Sequence, residues 1–444
     1  MHPWVARHFV YQPATWLRGE PVFRTLRRYE QTQWWSPEQI EALQETYLDR
    51  LLRYATRRSR YYSDLARDSG IDSSRISAQD LIRFPTLSKS DLRDSIDRIQ
   101  TFRLPGTTSW KTTGGSTGAA VRLKKNRWAT ATEQAASWRS YGWYGIRPGD
   151  MQARFWGVPL DAKTRLRFKS IDFVLNRVRF SAFAFTPEDL AAYYLEIERV
   201  RPVWAYGYVS MLSQFAAYCI EEKLPLDEVG IRAVVTTSEV LSDADRERIE
   251  QAFGATVYNE YGCGEVGAIL YECERGSLHA MSENLVLELE PDPTPEEPQA
   301  HRLIVTDLHN LATPLIRYDL QDRVVPAPPC SCGRGLAAFK RVFGRAYDMI
   351  EAPDGRRFHG EFFLYILEAG RDRGLAIGQA QFVQVEPDLV EVRVVPLKGY
   401  GEEDGRFLSQ SIEERTQGQL RAVVVLKDSI EREASGKIRL VKAL

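Results

Sequence analysis

Apolar positions in the first hundred residues fall at helical spacing. Between Glu38 and Tyr61, residues Ile40, Leu43, Tyr47, Leu51 and Tyr54 recur every three or four positions and define one side of a helix. Ser36-Pro37 precedes it, a hydroxyl for the cap and a proline preset for the first turn. Ser88 to Leu92 opens a second, short helix. From residue 127 onward the pattern alternates. Helices are expected over 127–144, 187–199, 210–222 and 242–253, with strands over 151–157, 203–207, 233–237 and 256–259. Strand and helix in turn predict a parallel or mixed sheet covered by helices. After Gly264 the period changes. Leu285 to Leu289 and Arg302 to Asp307 flank an acidic, proline-rich loop and read as a hairpin. The last hundred residues carry their own set: helices over 360–369 and 405–417, strands over 390–395 and 422–426. The domain boundary is placed near Phe343 to Tyr347.

Composition narrows the class. The 444 residues include 59 Lys and Arg against 60 Asp and Glu, a net charge of −1, so bulk electrostatic binding of nucleic acid is not expected. With 43% hydrophobic and 27% charged residues the chain is globular. It has no run of 18 apolar residues, so no membrane span is expected. Met1 to His8 lacks the apolar core and small-residue cleavage site of a secretory signal. Five cysteines in a chain of this length suggest a reducing compartment, and a cytoplasmic location is expected.

The sharpest local feature is Thr112-Thr113-Gly114-Gly115-Ser116-Thr117-Gly118, followed by Lys124 and Lys125. Glycines let backbone N–H groups approach an anion, and hydroxyls add donors. Taken alone, the septet reads equally well as a flexible loop. It is not a Walker A loop, because no Gly-Lys-Ser/Thr follows at the required spacing. Further motifs follow in order: Tyr261-Gly262-Cys263-Gly264-Glu265, then Ile316 to Asp322, then Gly344-Arg345-Ala346-Tyr347-Asp348, then Ser435-Gly436-Lys437.

Five ordered motifs over residues 112–437 resemble those of the adenylate-forming superfamily. The "IRYDLQD" form and the Cys-x-Cys-Gly-Arg of Cys330 to Arg334 resemble the phenylacetate–CoA ligase-like branch. The Trp- and Arg-rich N-terminus resembles its capsule- and exopolysaccharide-associated members. The resemblance implies an α/β fold with a large N-terminal adenylate-forming domain (residues 1–345), made of mixed sheets covered by helices plus a β-rich subdomain. A small, mobile α+β C-terminal lid (346–444) would carry the catalytic lysine.

By that resemblance, Thr112, Thr113, Gly114, Gly115, Ser116, Thr117 and Gly118 would hold the β- and γ-phosphates of ATP. Lys437, Glu265 and Thr117 would be catalytic. Glu265 would ligate Mg²⁺, a hard cation that prefers oxygen. Asp322 would accept from the ribose hydroxyls, with Asp319 as an alternative whose local role is a turn cap. Arg345 would meet a phosphate or ribose oxygen. Tyr261 and Gly262 belong to the nucleotide element, and Ser238, Glu239 and Tyr258 would frame adenine. Tyr206, Tyr208 and Trp156 are the candidates for the acyl pocket; aromatic side chains there read equally as core. Tyr347 stands where the family carries the first Asp of its hinge, which puts the usual rotation of the C-terminal domain in doubt.

The implied reaction joins a carboxylic acid to AMP, releases pyrophosphate, and passes the acyl group to CoA. An amine acceptor is the alternative, and a non-catalytic nucleotide-binding protein is a second. Cys273, His279, Cys330 and Cys332 form a candidate structural Zn²⁺ set, with Cys263 as a second candidate ligand and unliganded thiols as the plain reading. Cys219 sits in a helical pattern and reads as core. The basic stretch Lys163, Arg165, Arg167, Lys169, Arg177 and Arg179 reads as a solvated face or a polyanion site. The N-terminal Trp4, Trp16, Arg18, Arg24, Arg27 and Arg28 read as a surface for peripheral membrane or partner contact.

Overall fold

Helix starts fall where the capping residues require them. In the computed structural model of the chain, which describes all residues except 103–107, 113–120, 157–161, 182–185, 293–297, 344–349, 359, 431–439 and 444, helix Pro37–Arg58 begins on a reciprocal capping box of Ser36 and Gln39. Thr186 and Asp189 start Pro187–Val200 in the same way, and Ser88 and Asp91 start Lys89–Asp94. One boundary differs from the periodicity. Apolar spacing continues to Tyr61, but the chain turns extended at Ser59 and restarts as Arg60–Asp68. The Ser59 hydroxyl donates to the Arg98 carbonyl at 3.0 Å and accepts from the Tyr62 N–H, so a local cap outcompetes continuation of the helix.

The strands of the first 343 residues are β1 Thr108–Thr112, β2 Arg122–Asn126, β3 Gln152–Trp156, β4 Arg177–Ser181, β5 Trp204–Tyr208, β6 Ala233–Thr237, β7 Thr256–Cys263, β8 Gly267–Glu272, β9 Leu278–Ala280, β10 Leu285–Pro291, β11 His301–Asp307, β12 Tyr318–Pro326 and β13 Ala338–Phe343. From β3 on they form one mixed sheet in the order β10-β11-β12-β13-β9-β8-β7-β6-β5-β3-β4. Strands β4, β3, β5, β6 and β7 are parallel; the pairs from β7 to β10 are antiparallel. The hairpin expected around residues 285–307 is present as β10 and β11, and it continues the same sheet. Helices Val22–Thr32, Pro37–Arg58 and Arg127–Gly142 cover one face, burying Leu26, Leu51, Leu52 and Ala135. Pro187–Val200, Val209–Glu221 and Asp243–Phe253 cover the other, burying Ile197, Phe215 and Phe253. Strand β4 and helix Ala162–Val174 lie in the stretch whose dense basic residues mask any apolar period.

Strands β1 and β2 form a separate hairpin that pairs Thr112 with Arg122. The glycine septet falls between them, and its residues 113–118 lie outside the described set. Beyond residue 349 come β14 Ile350–Glu351, β15 Arg357–Phe358, β16 Ile377–Glu386, β17 Leu389–Pro396, β18 Arg421–Leu426 and β19 Val441–Lys442. The last four form a sheet in the order β18-β17-β16-β19. With helices Gly360–Asp372 and Glu402–Arg415 they enclose a core drawn only from residues between Ile350 and Val441. Among the described residues, no helix is long and apolar enough to cross a membrane.

Candidate functional site

The carboxyl ends of β5, β6 and β7 open into a cavity of about 870 Å³, where ligands of open α/β sheets commonly bind. Glu265, in the turn after β7, is a buried carboxylate on its wall. Lys89 Nζ lies 3.3 Å from its Oε1, and the Tyr318 hydroxyl donates to the same oxygen at 3.2 Å. Burial raises the Glu265 carboxyl, but Lys89 and hydrogen bonds outweigh it and hold the group below the ordinary glutamate range. The result is an enclosed, ionised oxygen donor. Across the cavity the Tyr261 hydroxyl donates to Asp322 at 2.9 Å. Asp322 faces the cavity, whereas Asp319 accepts from the Gln321 N–H at 2.8 Å and closes a turn. Ser238 lines the cavity in the left-handed region, with φ 69°. Glu239 accepts from the Ser210 N–H at 2.6 Å and so caps helix Val209–Glu221.

The base of the glycine-rich hairpin is pinned by charge. Glu133, on helix Arg127–Gly142, accepts from Lys111 of β1 at 2.9 Å and from Lys125 of β2 at 2.6 Å. Burial raises the Glu133 carboxyl, yet the two ammonium groups bring it down to about 2. Lys125 also donates to the Val266 carbonyl at 2.9 Å, one residue after Glu265. Gly267 makes this approach possible. Its φ is 104°, and a Cβ there would stand 2.5 Å from the Glu133 carboxylate. Hairpin, helix and the turn carrying Glu265 are thereby joined in one polar cluster.

The other end of the cavity is aromatic. Tyr206 and Tyr141 donate to buried Glu260 at 3.0 and 2.8 Å. Trp156 and Tyr206 line the cavity with Tyr141. Tyr208, the last residue of β5, is fully buried and packs 4.3 Å from the Trp156 ring. Tyr258 stacks on Tyr144 with ring centroids 3.6 Å apart, away from the cavity lining.

A second polar site lies where the β8–β9 turn meets the loop before β13. The ligand atoms of Cys273, His279, Cys330 and Cys332 all lie within 4.8 Å of one another. The Cys273 and Cys330 sulfurs are 3.8 Å apart, and Cys332 Sγ is 3.3 Å from His279 Nε2. Two thiolates each 2.3 Å from a tetrahedral centre stand about 3.8 Å apart. His279 Nδ1 meets the Leu336 carbonyl at 3.2 Å, which leaves the Nε2 lone pair for a ligand role. Burial pushes the His279 imidazole down to about 4, so it is neutral at physiological pH. Cys263 is not in this cluster: its sulfur accepts from the Val266 N–H on the cavity wall, and burial pushes its thiol up to about 12. Cys219 is core, and burial pushes it to about 12 as well.

No family model matches the chain. CapK of Staphylococcus aureus is 25% identical over 317 residues, which cover 70% of this chain and 69% of that protein. Phenylacetate-coenzyme A ligase of Thermus thermophilus is 27% identical over 334 residues, 70% of this chain and 72% of that one. The solved structure of 2-hydroxyisobutyryl-CoA ligase with 2-HIB-AMP and CoA, in its thioesterification state, superposes with a TM-score of 0.60 at 21% identity over 94% of this chain and 91% of its own. The chain is a homologue of CapK and of phenylacetate-coenzyme A ligase, and it shares the fold of 2-hydroxyisobutyryl-CoA ligase. A further structure of that ligase in an open conformation gives a TM-score of 0.54 at 20% identity over 90% of both chains.

Within this ligase fold, the residues singled out in the sequence distribute unevenly. Ser238, Glu239, Tyr261, Gly262, Glu265, Asp322, Tyr206 and Trp156 converge on one cavity. Tyr208 and Tyr258 do not line it. Thr112 ends β1, while Thr113 to Gly118, Arg345, Tyr347 and Lys437 lie outside the described residues. The basic stretch is not a free cationic face at its described end, because Asp172 accepts from both Arg177 and Arg179. Lys89, Tyr318, Glu133 and Glu260 were invisible as site residues. Tyr318 lies within the Ile316 to Asp322 motif but carried no role there; the other three are brought in by packing and sit in no local pattern that separates them from ordinary surface or core residues.

Proposed function

We propose that this chain activates a carboxylic acid with ATP as an acyl-adenylate and transfers the acyl group to CoA. The convergence of Glu265, Tyr261 and Asp322, from two separate motifs, on one cavity of an adenylate-forming fold carries this reading. In the first step a carboxylate oxygen bonds to the α-phosphorus of ATP and the bond to pyrophosphate breaks. Such a transfer needs positioning and charge neutralisation more than covalent help. Glu265 suits Mg²⁺, being an ionised, enclosed oxygen donor; the ion, when bound, offsets phosphate charge. Asp322, oriented by Tyr261, receives the ribose hydroxyls. The Thr112 to Gly118 loop holds the phosphates, Arg345 meets a phosphate or ribose oxygen, and Lys437 of a C-terminal lid beginning near residue 346 neutralises charge at the reacting carboxylate. In the second step the CoA sulfur bonds to the acyl carbon, AMP leaves, and the thiol proton passes to solvent.

Acid-dependent exchange of labelled pyrophosphate into ATP tests the first step. Lys437→Ala should lower it by about 10²-fold or more with the circular dichroism spectrum unchanged. Unchanged exchange removes Lys437 from the reaction, and no exchange with any acid overturns the reading. Thioester formation with CoA, scored against amide formation with amines, decides the acceptor.

Cys273, His279, Cys330 and Cys332 are proposed to hold a structural Zn²⁺, on the strength of their donor spacing and the oriented imidazole. The N-terminal helical segment is proposed to make peripheral contact with an anionic membrane surface. Trp4, Phe9, Trp16 and Leu17 are exposed there, and the chain has no acidic residue before Glu20.

A further inference from the structure

One cation at the aromatic end of the cavity has no ion-pair partner among the described residues. Arg154 stands mid-strand on β3, in register with Tyr206 of β5. Alternation along the strand brings Arg154 and Trp156 to the same face. The guanidinium carbon lies 4.5 Å from the Trp156 ring centroid and 4.4 Å from that of Tyr206. Its Nε is enclosed and has no hydrogen-bond partner among the described residues. Both rings hold the guanidinium in place without satisfying its N–H groups. The carboxylate that acts on it electrostatically, Glu260, already accepts from Tyr141 and Tyr206. Burial pushes the Glu260 carboxyl up, which weakens it further as a counter-ion.

Arg154 is shared between the large cavity and an adjoining chamber of about 440 Å³. The chamber's walls include the aromatic side chains of Trp110, Trp138 and Trp204. Its other charged lining residues are Lys111, Lys125, Glu133 and Arg177, and the one carboxylate, Glu133, is divided between the two lysines. Arg177 is answered by Asp172. Arg154 is thus the unanswered cation at the entrance to an aromatic chamber of net positive charge. An unpaired guanidinium donates in a planar fork that matches a carboxylate.

We propose that the chamber receives the distal end of the acid, and that this end carries a second carboxylate read by Arg154, so that the preferred substrates are dicarboxylic acids. This inference rests on the acid-activating reading given above. Calorimetric titration of the full chain with 4-carboxyphenylacetate and with phenylacetate, and with adipate and hexanoate, tests it. The diacid of each pair is expected to bind at least tenfold more tightly. Arg154→Gln should remove the difference, and Arg154→Lys should keep part of it. Equal binding within both pairs, no binding of either diacid, or a preference that survives Arg154→Gln overturns the inference. If both variants fail to fold, the wild-type comparison decides alone. A diacid that binds but supports no pyrophosphate exchange counts against the acid-activating reading and leaves the binding assignment standing.

Discussion

The Lys89 ammonium lies 3.3 Å from the Glu265 carboxylate, linking a short N-terminal helix to the turn after β7. The pair sets the charge state of the proposed metal-binding oxygen. Burial raises the Glu265 carboxyl, and Lys89 is the largest of the influences that offset it. In the wild type the depressed carboxyl adds stability above its unfolded pKa of about 4.3, and this is lost as pH falls through the folded value. Lys89→Met should therefore move the acid limb of the pH–rate profile for pyrophosphate exchange to higher pH. An acid limb at the wild-type position would show that Lys89 does not govern Glu265.

Glu133 should behave as a structural charge. Held at about 2 between Lys111 and Lys125, it contributes stability above about pH 4.3 that drains away as pH falls towards 2. Glu133→Gln leaves buried Lys125 without its counter-ion and should cost about 3 kcal/mol at pH 7. Denaturant melts of variant and wild type should converge in acid. A constant difference between pH 7 and pH 3 would rule out the charge as its source.

Gly267→Ala attacks the same cluster through sterics. The added Cβ would meet the Glu133 carboxylate at 2.5 Å on a backbone with φ 104°. The expected loss is about 1–3 kcal/mol, and it should largely overlap with that of Glu133→Gln in the double variant. Full additivity in a double-mutant cycle would place the strain elsewhere.

Elemental analysis after dialysis should find about one equivalent of zinc per chain. Cys332→Ser should reduce that content and lower the melting temperature, because a four-ligand site loses both a donor and a cross-link between the β8–β9 turn and the loop before β13. Zinc well below one equivalent in the wild type would leave the cluster as reduced thiols.

Vesicles of phosphatidylglycerol should retain the protein in sedimentation, and phosphatidylcholine vesicles should not. Replacing Trp4, Phe9 and Trp16 with serine should weaken that retention at least tenfold. Retention unchanged by the triple replacement would show that the N-terminal aromatic side chains are not the contact.

Helix starts at Ser36, Ser88, Thr186 and Ser242 were legible because a cap is made by residues three apart. Strand β6 was legible to the residue, since Ala233 to Thr237 is a short run of small and β-branched residues. Strand β4 was not, because Arg177 and Arg179 look like a solvated face until Asp172 is known to lie beside them. The fully buried Arg139–Glu283 pair was equally invisible: its partners lie on a helix and on a loop distant in sequence.

The sequence by itself determined the order of motifs, the alternation that builds the parallel half of the sheet, and the residue types needed to bind a nucleotide. Those depend on local spacing, which survives in one dimension. Only the tertiary structure decided that Asp322 faces the cavity while Asp319 closes a turn, that Tyr208 is core while Tyr206 lines the cavity, and that Lys89 lies against Glu265. These distinctions turn on where along a strand a side chain sits and on what the packed sheet brings opposite it, and the second is set by contacts between residues far apart in the chain.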